Sequence, residues 1–172
     1  MEWHLFALLG MMPFDLQTDP DLPNFCNRAK EAIPQLTVHA PVRDYQAGAV
    51  AAQISGLPAN VGVLVVGTSL GACDVPVVGS YTHHIIDGAF GFQASIFGVD
   101  QPFTANVKFA HIFNSDNPFP FPGLGALRWK RGDMTGGLIN QPHNIPHPGD
   151  YDLNDQNTFI REMARIIAHT SR

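Results

Sequence analysis

The chain is short of charge. Of its 172 residues, 15% are Asp, Glu, Lys or Arg, and the net charge is -5. No cluster of Lys or Arg occurs, so nothing in it is built to follow a phosphate backbone, and no nucleic-acid partner is expected. Cysteine is scarce as well. Cys26 and Cys73 are the only two, and they lack the Cys-x-x-Cys spacing of a zinc or dithiol site. Each reads as a small buried thiol, with Cys73 packing on a helix. No apolar run approaches the roughly 20 residues that cross a bilayer, so no integral membrane segment is expected. The apolar start, Trp3 to Leu9, has no Lys or Arg ahead of it and no small-residue cleavage site before Pro13. It therefore does not read as a secretory signal, and the default expectation is a soluble, cytoplasmic chain. Gly-x-x-x-x-Gly-Lys-Ser/Thr and Gly-x-Gly-x-x-Gly are both missing, which ranks a nucleotide-binding protein low.

What is present suits one folded domain. Hydrophobic residues make up 45% of the chain, while 16 Gly and 14 Pro imply many turns. Strand-like and helix-like stretches alternate. Trp3 to Leu9, Gln35 to Ala40, Val61 to Val66, Ile85 to Ser95 and Asn106 to Phe113 read as strands. Leu22 to Ile33, with Asp21 as N-cap and Pro34 as stop, reads as a helix. So do Ala47 to Ile54, the segment after Ser69 and the amphipathic Phe159 to Ala168, although Pro76 must kink the segment after Ser69 or sit in its first turns. The alternation predicts an α/β domain over residues 1–172 with a mainly parallel sheet.

The most informative stretch is Asn60 to Ala72. A β-branched apolar run ends in Gly67-Thr68-Ser69-Leu70-Gly71, a G-x-S-x-G pattern placed directly after a strand. A Ser between two near-bare positions in so sharp a turn is pushed out above the sheet, at the start of the next helix. The free N–H groups and positive dipole of that helix end suit a developing oxyanion. An ordinary strand-to-helix turn is the competing reading.

A nucleophilic Ser needs a base and an orienter, and both have candidates downstream. Asp116 lies in Asn114-Ser115-Asp116-Asn117-Pro118, and His147 lies in the Pro-rich loop before the closing helix. Ser69, Asp116 and His147 thus occur in the chain order Ser, Asp, His. Each falls beyond a strand, at the edge where open α/β sheets bind ligands. Asp116 competes with a plain Asx turn and with Asp133 and Asp100, and His147 competes with His143. Asp150 is a possible second orienter. His83-His84 is set aside as a metal pair because adjacent residues do not face one another, and no metal or other cofactor is expected. His111, within a strand, reads as packed or hydrogen-bonded.

These residues together resemble the α/β-hydrolase family, especially its small lipase, esterase and cutinase-like members. The resemblance implies a serine esterase with a Ser69, Asp116, His147 triad and an acyl-enzyme route. It also implies an oxyanion hole formed by the N–H of Leu70 and, from the loop after the first strand, that of Met11. The chain departs from the family pattern in lacking a His-Gly lead in that early loop, in having no room for eight strands, and in Pro76. A minimal core without a large cap domain follows. Met12, Phe119 and Phe121 would line the mouth and accept a small-molecule or lipid-like ester; alternatively, such apolar residues pack the core or a homo-oligomer contact. A non-catalytic binding or assembly module on the same fold is the other class to be separated from the enzyme.

Overall fold

A computed structural model describes residues 1–10, 21–95, 98–115, 126–143 and 152–170. The first strand, β1 (Trp3–Leu9), is an inner strand of a seven-stranded sheet, one place from its edge. It is followed by helix α1 (Asp21–Ala32) and two short strands, β2 (Leu36–Val38) and β3 (Val42–Arg43). These two pair with successive stretches of the same edge of β1, so they act as one strand interrupted around Pro41. Helix α2 (Ala47–Ser55) then leads to β4 (Gly62–Thr68), helix α3 (Leu70–Tyr81), β5 (Gly88–Phe92), β6 (Ala110–Ser115), β7 (Leu138–His143) and helix α4 (Leu153–Thr170). The spatial order is β2-β1-β4-β5-β6-β7, and all the strand pairings are parallel. The expected α/β class with a parallel sheet is therefore correct.

Side-chain alternation along each strand splits the core in two. Val63, Val65, Ala110 and Ile112 face α2 and α3, while Leu64, Val66, Phe90, Phe92 and Phe113 face α1 and α4. Phe159 of α4 packs its ring on Phe90, Phe92 and Phe113 at centroid distances of 5.0, 4.6 and 4.9 Å. Buried on both faces, β4 can be the continuous apolar run it is, since a helix layer covers each side. Leaving β1 in opposite directions, the chain reaches β2 on one side and β4 on the other. The strand order reverses there, which opens a crevice above the carboxyl ends of β1 and β4.

Several boundaries differ from the sequence reading. Asp21 is the first residue of α1 rather than its cap, and α4 starts six residues before Phe159. The strand expected over Asn106 to Phe113 is shifted to Ala110–Ser115, because Asn106 is spent on a turn. Its Nδ2 donates to the carbonyls of Gly79, Thr82 and His84. Strand β7 was not expected at all. It contains Pro142 and lies at the edge of the sheet, where a residue without N–H is tolerated. His143 accordingly ends a strand rather than lying in a loop.

Pro76 is the seventh residue of α3, within its first two turns, and the helix runs on through it to Tyr81. Proline cannot donate to the carbonyl four residues back, here that of Ala72, which is fully buried. The indole Nε1–H of Trp129 donates to that oxygen instead, at 3.0 Å. Gly91 leaves the space for it, since a Cβ there would lie 2.6 Å from the Trp129 ring.

Candidate functional site

The turn at Ser69 has the geometry its sequence demands. Ser69 has φ 50 and ψ -119, in the left-handed half of backbone space that an L side chain enters only under constraint. A Cβ on Gly67 would strike the backbone of Gly71 and Ala72, and one on Gly71 would strike the Leu8 carbonyl. Both glycines are thus required for α3 to fold back so closely over β4 and β1. The strained peptide is held by its neighbours. Ser69 N–H donates to Phe92 O at 2.9 Å, and Ser69 O accepts from Ala72 N–H at 3.1 Å and Ser95 N–H at 3.3 Å. Leu70 is the first residue of α3, so its N–H has no acceptor four residues back within the helix.

Gly10, closing β1, is the other flank of this crevice. A Cβ built on it would lie 2.6 Å from Ser69 Cβ and 3.3 Å from Ser69 Oγ. The loop that leaves β1 therefore begins against the serine. Met11 and Met12 of that loop lie outside the described residues, as do Asp116, Phe119, Phe121, His147 and Asp150.

Strand order fixes where partners for Ser69 can come from. Thr68 is in register with Phe92, Phe92 with Phe113, and Phe113 with Gln141. His143 therefore stands three strand spacings from the serine, about 14 Å, beyond the roughly 10 Å that a Ser and a His side chain span with a hydrogen bond between them. What His143 does instead is bond to α4: its Nδ1 lies 2.6 Å from Asp155 Oδ2. Burial holds the Asp155 carboxyl above its ordinary range, and the adjacent imidazole works against that shift. Ser115, the residue before Asp116, is in register with His143 and fully buried.

The other acids considered are placed elsewhere. Asp100 forms an exposed ion pair with Lys130 at 2.5 Å. Asp133 is exposed in the turn that leads into the start of β7, at the sheet edge opposite Ser69. His111 is packed as expected, with Nδ1 2.8 Å from Glu162 Oε2 and Nε2 3.1 Å from Gln141 Oε1. Cys26 and Cys73 are free and buried, and burial pushes each thiol up to about 12, so neither is a nucleophile near neutral pH. On the far flank of the elbow helix, burial and the neighbouring Asp44 raise Asp74 to about 6. That pair was not anticipated, because Asp44 follows β3 and Asp74 lies in α3, thirty residues apart in sequence. Among the described residues, no group of three or more His, Cys, Asp or Glu is arranged to hold a metal ion. No helix among them is long and apolar enough to cross a membrane.

Comparison with models of known families, with curated proteins and with solved structures gave no match to this chain.

Proposed function

We propose that the chain is a serine hydrolase of minimal α/β-hydrolase type, cleaving carboxylic esters with Ser69 as nucleophile. The observation that carries this reading is the Ser69 turn: a non-glycine residue at φ 50, wedged between a buried strand and a helix start by two glycines that cannot be enlarged. Strain of this kind persists only where surroundings impose it, and it concentrates at sites of function. The position is also right, above the crevice where the strand order reverses.

In this mechanism Ser69 Oγ attacks the ester carbonyl and its proton passes to an imidazole. The developing oxyanion is met by the Leu70 N–H and by an N–H from the loop after Gly10, for which Met11 is the candidate. The alcohol leaves with the imidazole proton, and water then releases the acid from the acyl-enzyme. The spatial order of β4, β5, β6 and β7 repeats the chain order of Ser69, Asp116 and His147. Asp116 follows Ser115 directly. His147 comes four residues after His143, enough chain to cover up to about 13 Å and bring an imidazole back toward the serine. Apolar residues of the flanking loops, Met12, Phe119 and Phe121, would take the acyl group.

The test is labelling with a fluorophosphonate probe, together with turnover of a short p-nitrophenyl ester. Wild type should be labelled on Ser69 and should turn over the ester. Ser69→Ala should lose both while keeping its circular dichroism and melting temperature. Equal turnover by Ser69→Ala, or no labelling of folded wild type, would mean the turn is structural.

A further inference from the structure

The start of β1 and the end of β2 bring two histidines together. Leu5 is in register with Val38, and the ladder continues one residue further, where His39 N–H donates to Leu5 O at 2.9 Å. Alternation along the two strands puts His4, Phe6 and His39 on one face of the sheet, the face that α2 covers. There His4 Nδ1 lies 2.8 Å from His39 Nε2. The His39 ring stacks on Phe6, with centroids 4.0 Å apart and 9° between the planes. His4 is 7% exposed and His39 is half-buried.

Two ring nitrogens this close are joined by one hydrogen, with one imidazole donating and the other accepting. The bond holds while both rings are neutral, and also while one of them is protonated. A second proton sets N–H against N–H between two cations, and the bond is lost. Glu2 can offset a first cation, since its Oε1 lies 3.0 Å from His4 Nε2, but that carboxylate is 62% exposed and its field is screened. The elements packed around the pair add little charge. Helix α2 carries no titratable side chain, and Val63 of β4, in register with His4, is apolar. On the opposite face Lys30 of α1 bonds the carbonyls of Pro34 and Leu36. Arg43 pairs with Leu9 at the far end of this edge, and Asp44 follows it. Burial, and then the charge of His4, hold the His39 imidazole below its ordinary value.

We infer that His4 and His39 form an acid-operated latch on the edge of the sheet. It holds the end of β2 on β1 while the facing nitrogens share one proton, and it releases that end when both rings are protonated. The start of β2 stays in place, because Leu36 is fully buried and Lys30 bonds its carbonyl. What comes off is Val38 and His39, which frees the Leu5 carbonyl and uncovers the Phe6 ring, 2% exposed beneath His39. An opened strand protonates His39 more readily than the closed one does. The closed form is therefore favoured above the ordinary histidine range, near 6.5, and loses ground as pH falls below it. The latch is independent of the chemistry at Ser69.

The experiment compares wild type with His39→Gln as full chains. Glutamine keeps an N–H donor for His4 and cannot be charged. Nuclear magnetic resonance follows the imidazole titrations from pH 8 to pH 4.5. It also follows amide hydrogen exchange at position 39 and, as a control, at Ile112 in β6, corrected for the intrinsic effect of pH. In wild type His39 should titrate below the ordinary histidine range. The protection of its amide should fall at least about fivefold from pH 7.5 to pH 5, with Ile112 unchanged. In His39→Gln the fall at position 39 should be less than about twofold. A fall of equal size in the variant, or one shared by Ile112, would overturn the latch, since the opening would then be independent of the pair or global. Should the variant not fold, wild type decides alone: protection that stays level to pH 5, or a His39 that titrates in the ordinary range, overturns the inference.

Discussion

Replacing Trp129 by Phe should reveal how α3 tolerates Pro76. The substitution deletes the indole N–H that donates to Ala72 O at 3.0 Å, while an aromatic ring remains against Phe103. Ala72 is fully buried, so its carbonyl would be left unpaired, at about 1–3 kcal/mol. Loss of the fused ring adds a packing cost of its own. The two contributions separate in a double-mutant cycle with Pro76→Ala. Alanine at 76 restores the amide that a regular helix aims at Ala72 O, so Trp129→Phe should then cost only its packing part. The expected coupling is about 1–2 kcal/mol, which for a chain of this size is roughly 3–6 °C in Tm. Urea unfolding of the four proteins, followed by circular dichroism at 222 nm rather than fluorescence, measures it. Additivity within about 0.5 kcal/mol would refute the idea that the indole stands in for the missing amide.

Two further outcomes are expected. Asp74 has a folded-state pKa raised to about 6 by burial and by Asp44. As pH rises from about 4 to about 6 the unfolded chain ionises first, so wild type should lose stability across that window. Asp74→Asn should not, and should be the more stable protein at pH 7 by something on the order of 1 kcal/mol after solvent screening, with no advantage at pH 4, as urea melts at the two values would report. His147→Ala should lower kcat by about 10^4 or more, whereas His143→Ala, whose imidazole is held by Asp155 three strands from the serine, should be far milder. The reverse ranking of the two rates would move the base to the strand end.

What was legible in the sequence is what local chemistry determines. The run from Val61 to Thr68 is apolar and β-branched because helices cover both its faces, and the two glycines around Ser69 are there because no Cβ fits. These features report themselves. The features that were missed depend on residues distant in sequence. Pro142 argued against a strand, and only its place at the sheet edge makes one possible there. Pro76 takes away the helical donor for the Ala72 carbonyl, and the donor that replaces it comes from residue 129. Gln93 carries no local sign of a left-handed turn, since that conformation is favoured by glycine and asparagine rather than glutamine.

The strand order also bears on how the chain is made. β1 precedes the other strands in the chain but ends up inside the sheet, flanked by β2 and β4, so its pairing with β4 waits until β4 has emerged. From β4 onward each new strand adds to the growing rim in order of synthesis, β5, then β6, then β7. The serine turn and its glycine flank both precede β5 in the chain. On the aromatic face of β5 and β6, Phe25 of α1 packs on Phe92 at 5.5 Å, while the Phe159 ring that covers Phe90, Phe92 and Phe113 comes only with α4. A nascent chain therefore forms the Ser69 turn before its phenylalanine face is fully covered, the stage at which such a surface is most exposed to aggregation.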